Sequence, residues 1–224
     1  MIYRLAILVL LLCSCSTQRN VGPLTSEILL SRSGVFQPEF ESVPQLEERS
    51  VREGKHKYRP GHGFGLRGNT RGYDLYFELP ISAWYSPRVN SRGDNAEQWN
   101  KLGGITYMNW LPWTWIPPNK TAVLVGFRPS LESGKFEIAA YINFPDKSWE
   151  FKIIAVVEPD QVGLIKVDLV DPDVWVFRLW QGEIYNDQVM QLDPMVFQYN
   201  VGPWFGGSEE ALHDHCIFTQ LLFD

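Results

Sequence analysis

Tryptophan is the residue whose placement suggests chemistry first. The segment from Asn109 to Pro118 reads NWLPWTWIPP and sets Trp110, Trp113 and Trp115 among Pro112, Pro117 and Pro118. Proline removes a ladder donor and is excluded from central strands, so part of this segment is predicted on a loop or sheet edge with its indoles partly exposed. Exposed indoles offer platforms for the apolar faces of sugar rings, and Asn109 and Asn119 stand nearby to meet hydroxyls. Turned inward, the same cluster would seal one end of a sandwich. Trp110 and Trp113 differ in strand parity, so one regular strand does not place all three rings on a single face.

A second constellation lies near the C-terminus, where Trp204 precedes a Gly-Gly pair and His213 and His215 follow at a spacing of two. In a strand both imidazoles point to one face, a spacing that binds a metal if a third ligand such as Glu209 or Asp187 joins them. The plainer reading is an imidazole that satisfies buried backbone groups. A hydrolytic nucleophile is not apparent: Ser208 lacks the Gly-x-Ser-x-Gly elbow, and Cys216 alternates to the opposite face from His215. Adjacent Glu209 and Glu210 diverge in a strand and make a poor glycosidase pair. Gly61 to Gly68 is glycine-rich, but it lacks Gly-Lys-Ser/Thr in a strand-to-helix setting and reads as a connector. No cofactor is expected from these patterns.

The N-terminus carries an address. Arg4 and the apolar run Leu5–Leu12 form a secretory signal over residues 1–14, too short to span a bilayer. Leu12-Cys13-Ser14-Cys15 resembles the bacterial lipobox, which makes Cys15 the lipidated residue and a membrane lipid anchor the expected attachment. The alternative is an ordinary signal peptide with incidental cysteines. Ser16 rather than Asp after Cys15 points to the outer membrane, on its periplasmic or surface side. Only Cys216 then remains as a thiol, expected to be buried or otherwise protected.

The elements that position these residues follow from composition. The chain has 224 residues, 45% hydrophobic and 21% charged, with 9 Trp, 9 Tyr and 13 Phe, which excludes a disordered tail and leans toward β structure. Residues 15–70 are read as a lipidated tether with a polar, basic segment. From Arg49 to Tyr73 seven cations (Arg49, Arg52, Lys55, Lys57, Arg59, Arg67, Arg71) face one acid, Glu53. They either dock on the domain's own acidic surface, stay solvated, or contact anionic head groups or an acidic glycan. Nucleic acid is disfavoured by the compartment.

From residue 71 to 224 the pattern is strand after strand: 73–79, 105–111, 121–128, 135–144, 149–157, 162–170, 174–181, 195–200 and 215–223. Only Asn95 to Lys101 invites a helical turn. About nine to eleven strands without a βαβ rhythm predict an all-β, antiparallel β-sandwich of jelly-roll type with little helix.

Trp99-Asn100-Lys101-Leu102, then Gly126-Phe127-Arg128, the strand Glu137–Phe144, Gly202-Pro203-Trp204-Phe205-Gly206-Gly207 and Ala211-Leu212-His213 resemble a family of uncharacterised bacterial β-sandwich lipoproteins and secreted proteins. Trp204 and Leu212 stand where the family pattern has Tyr and Pro. The resemblance implies the fold and export, assigns no reaction, and marks Lys101, Arg128 and His213 as the polar positions of interest. The expectation is therefore a non-catalytic envelope protein that binds a glycan or envelope partner through Trp110, Trp113, Trp115 or Trp204, with Arg128, Lys101 and His213 adding polar contacts. Two alternatives stand beside it. One is a jelly-roll polysaccharide lyase or hydrolase using His213 or His215 with Arg128 or Lys101; the other is a structural subunit of an envelope protein assembly.

Overall fold

Alternating apolar and polar residues bounded by turn formers produce twelve strands in the computed structural model, which describes residues 43–61, 65–68, 70–107, 121–194, 197–206 and 209–223. In chain order they are β1 (Glu47–Val51), β2 (Leu66–Gly68), β3 (Gly72–Glu78), β4 (Asn100–Tyr107), β5 (Ala122–Pro129) and β6 (Phe136–Asn143). β7 (Trp149–Val157), β8 (Val162–Asp171), β9 (Val174–Gln181), β10 (Ile184–Gln191), β11 (Phe197–Val201) and β12 (His215–Phe223) complete them. The described residues belong to the unit Phe40–Asp224. Cys15 and the Trp110, Trp113 and Trp115 segment lie outside the described residues.

The strands pair antiparallel in two six-stranded sheets, ordered β1-β12-β3-β8-β9-β10 and β2-β11-β4-β5-β6-β7, and the fold is a jelly-roll type β-sandwich. Short turns close the hairpins. Gly182, at φ 56°, starts the two-residue turn that sets Gln181 opposite Ile184, and Pro172-Asp173 bridges Asp171 to Val174. Among the described residues the only helical element is a single 3₁₀ turn, Ile81–Ala83, and no helix is long and apolar enough to cross a membrane.

The core between the sheets is built from the inward residues of each strand. Tyr73, Leu75 and Phe77 of β3 and Trp175, Phe177 and Leu179 of β9 meet Val123, Val125 and Phe127 of β5 and Phe136, Ile138, Ala140 and Ile142 of β6. Phe77 lies over Gly163 of β8, where a Cβ would collide with its ring. Each of these fully buried side chains contributes on the order of 1.5–3 kcal/mol.

Three features depart from the sequence reading. Asn95 to Lys101 is extended rather than helical, because Glu97 and Asn95 give their backbone carbonyls to Arg128 and Asn100 enters β4. The sandwich begins before residue 71: β1 pairs with β12 and β2 with β11, both as edge strands, and the exposed face of β1 is polar. β10 is a third unexpected strand; Asn186, Asp187, Gln188 and Gln191 hide its alternation, and its ladder with β9 holds it.

Candidate functional site

The outward face of the β2-β11-β4-β5-β6-β7 sheet is packed like a second, smaller core. Cross-strand partners share a face, so the registers define its rows. One row runs Lys57, Trp204, Lys101, Gly126, Ala139, Ile153, the first three joined by single antiparallel bridges outside the main ladders. A second runs Val201, Gly104, Leu124, Tyr141, Phe151, and a third Tyr199, Thr106, Ala122, Asn143, Trp149. At about 4.8 Å per strand the first row spans roughly 24 Å. Small residues form its floor: a Cβ at Gly104, which sits at φ 146°, would press on the carbonyl of Val123, and one at Gly126 would reach 3.2 Å from Trp99.

Long side chains lie on that floor. The Trp99 indole covers Gly126 and packs against Phe151 at 5.0 Å between ring centres. Arg128 places its guanidinium carbon 4.3 Å from the Trp99 ring centre, and its Nε donates to Glu137 Oε2 at 2.7 Å across the β5–β6 ladder. Lys101 is 5% exposed. Its ammonium sits 3.5 Å from the centre of the Tyr141 ring and donates to the carbonyl of Trp99 at 2.9 Å. Among the described residues no carboxylate pairs with it. Burial pulls the lysine down to about 7 and pushes the Tyr141 hydroxyl up to about 12. The Trp99 Nε1 donor is buried without a hydrogen-bond partner.

The face opens at its β7 edge. Trp149 is 57% exposed and lies nearly parallel to Tyr141 (10°) and Phe151 (17°), with centres 5.9 and 5.8 Å apart. Ile153, two positions beyond Phe151, is also exposed. A bulge at Ile154 produces this edge, because Ala139 pairs with Ile153 while Ile138 pairs with Ala155. The extra residue turns Trp149, Phe151 and Ile153 outward, while Ala155 and Val157 stay in the core.

A polar cleft lies at one end of the sandwich, lined by His56, Tyr85, Arg88, Glu97, Phe205 and Glu209 among others, with a volume of about 650 Å³. Arg88 bridges two of its carboxylates: Nε meets Glu97 Oε1 at 2.8 Å and an η nitrogen meets Glu209. Burial, and after it the charge of Glu97, raises the Tyr85 hydroxyl. The segment Glu97–Lys101 joins the two regions, with Glu97 in the cleft and Trp99 and Lys101 on the sheet face. Asn100 Oδ1 accepts from the Gly206 N–H at 2.6 Å and ties down the turn after Trp204.

Neither a protein-family model nor a curated protein matches this chain. Solved structures similar to it include an alginate lyase from Pseudomonas aeruginosa, with a TM-score of 0.39 and 10% identity over 69% of this chain and 65% of that one. Another is a marine alginate lyase from Zobellia galactanivorans, with a TM-score of 0.38 and 11% identity over 71% and 65%. A third is Scytalido-glutamic peptidase with a peptide-based transition-state analogue, with a TM-score of 0.33 and 6% identity over 79% and 66%. The chain thus spans 65% of the length of each lyase.

Of the residues singled out in the sequence, Lys101, Arg128 and Trp204 share the outward face, with Trp204 half-buried against the Trp99 cluster. His213 stands apart from them. Its ring packs against Tyr85 and His215, and Nε2 donates to the carbonyl of Ser82 at 2.9 Å. His215 is buried: Nδ1 donates to the His213 carbonyl and Nε2 accepts from the Tyr58 hydroxyl at 2.7 Å, the pattern of a neutral imidazole. Burial holds it down at about 4. The two imidazoles come within 5.1 Å, yet among the described residues no group of three metal-ligating side chains forms. Cys216 is half-buried and free, with its thiol raised chiefly by burial. Trp149 is the residue that the strand pattern hid, since it reads as the first position of an ordinary strand.

Proposed function

We propose that this chain is a lipid-anchored envelope protein that binds a polysaccharide along the outward face of the β2–β7 sheet. The exposed Trp149 indole carries the reading, stacked on Tyr141 and Phe151 at the open edge of a face otherwise filled with side chains. Such a rigid ring offers a flat apolar surface at little cost in side-chain entropy, which suits the face of a pyranose. The ring cannot swing away without losing two stacked neighbours. Anchoring rests on Cys15 and its lipobox context and places the domain at the outer membrane. Replacing Trp149 by Ala removes the platform, and titration of the full chain with a polysaccharide tests it: binding weakens in the variant relative to wild type, whatever charge the polymer carries.

A second reading is favoured by Lys101. An amine at about 7 is partly unprotonated at neutral pH and has the character of a general base. It suits removal of the proton next to a uronate carboxyl in a β-elimination, in which the C–H electron pair becomes the new carbon–carbon double bond and the glycosidic oxygen leaves, taking a proton from water. The resulting unsaturated sugar is read directly by its absorbance.

A further inference from the structure

The chain between Arg52 and Arg59 carries a strip of cations along one side of a cavity. Residues 55–59 read Lys-His-Lys-Tyr-Arg, and the structure alternates them: Lys55, Lys57 and Arg59 are exposed, His56 is half-buried and Tyr58 is in the core. Four backbone hydrogen bonds staple the segment to the sandwich: Gly54 N–H to Ala211, Ala211 N–H to Lys55, Phe205 N–H to His56, and Arg59 N–H to Ser50. The backbone that carries its cations is therefore held in place.

These cations line a cavity of about 660 Å³ with Ser50, Arg52 and His56. Among the described residues none of Arg52, Lys55, Lys57 and Arg59 makes an ion pair, although Arg49 beside them is held by Glu47, Thr219 and the Pro60 carbonyl. Glu48 borders the cavity, its carboxylate accepting from the Ser50 hydroxyl at 3.1 Å, and Glu53, Glu209 and Glu210 line the neighbouring cleft, which shares His56. Four cations lining one cavity create a positive local field, which a bound anion relieves.

Lys57 also belongs to the first row of the outward face, directly beside half-exposed Trp204 and, one strand further, Lys101. We infer that this cavity is the anion-reading subsite of the polysaccharide face, and that the polymer is an acidic one whose carboxylate or sulfate groups meet Lys55, Lys57 and Arg59. The inference rests on the polysaccharide reading above. A concave basic cavity flanked by an indole fits a charged sugar ring, whereas a bilayer, flat on this scale, would need a convex patch.

The test titrates the full chain in detergent with polygalacturonate and with its methyl ester, which keeps the sugars and removes the charge. Wild type should prefer the acid by about tenfold, and raising NaCl from about 0.05 to 0.5 M should erase most of that preference. The combined substitution Lys55→Gln, Lys57→Gln and Arg59→Gln should abolish the preference by bringing acid binding down to the level of the ester. The salt series on wild type reads the same property if that variant misfolds. Equal affinity of wild type for acid and ester overturns this inference and leaves the platform reading standing; binding of neither polymer overturns both. Displacement of polygalacturonate by mixed detergent micelles one-third phosphatidylglycerol would reassign the cavity to a membrane surface and also overturn the inference.

Discussion

Replacing Lys101 by Met should make the protein more stable while damaging its function. The side chain carries a charge into a setting that is 5% exposed, with one carbonyl and one aromatic ring as partners. Lowering a lysine from 10.5 to about 7 corresponds to roughly 5 kcal/mol against the charged form at pH 7. Methionine keeps the stem volume but forfeits the cation–π contact, about 1 kcal/mol, and the hydrogen bond, about 1 kcal/mol. Relaxation and water penetration reduce the rest, leaving a net gain of about 2 kcal/mol, or roughly 4–8 °C in Tm. The sign follows from linkage. Between pH 7 and 10.5 the unfolded chain holds the extra proton, so this lysine's contribution to stability rises with pH and is fully lost at and below pH 7. Thermal melts of both proteins from pH 7 to 9.5 read the difference: the variant leads at pH 7 and the gap narrows as pH rises. A constant gap, or a variant that melts lower at pH 7, refutes the buried-charge reasoning. If the chain is a lyase, the same variant forms no unsaturated product.

Two further outcomes follow from the geometry. His215 has a folded value of about 4 against an ordinary 6.5, so the unfolded chain takes up its proton first as pH falls. Its stabilisation is present above pH 6.5 and lost on the way to pH 4, by about 2 kcal/mol after discounting for partial solvation. Melts at pH 7 and 4.5 should therefore show a smaller acid loss in His215→Gln than in wild type, and an unchanged loss would count against a neutral, buried imidazole. At the N-terminus, metabolic labelling with a fatty-acid probe should mark the wild-type chain and leave Cys15→Ala unlabelled; label retained in the variant removes the anchor at that residue.

Much of the sandwich is written in period-two alternation. β7, β9 and β12 begin and end where turn residues and parity place them, and the inward stripe of β6 is visible as Phe136, Ile138, Ala140 and Ile142. What alternation cannot carry is a change of parity within a strand. Trp149, Phe151 and Ile153 share odd numbers with Ala155 and Val157, and only the bulge at Ile154 sends the first three outward. A strict reading makes one buried stripe of all five and loses the platform. β10 and the edge strands escaped because a strand held by one neighbour or facing water does not need apolar residues at every second position. For the site, the family resemblance brings Lys101 and Arg128 to notice, and cross-strand register then places both on one face. The partners that define their chemistry, Tyr141, Trp99 and Glu137, are set by that register, which pair spacing along the chain does not encode. His213 keeps company with Tyr85 and Ser82, which are more than a hundred residues away in sequence.

The central claim is that the outward sheet face takes a polysaccharide through Trp149. Its most direct test is isothermal titration of the full chain and of Trp149→Ala with polygalacturonate and its methyl ester, alongside thermal melts to confirm that the exposed substitution leaves the fold intact. The account predicts measurable binding by wild type and a loss of about tenfold or more for both polymers in the variant. Equal binding by a folded Trp149→Ala protein, or no binding by wild type, would contradict it.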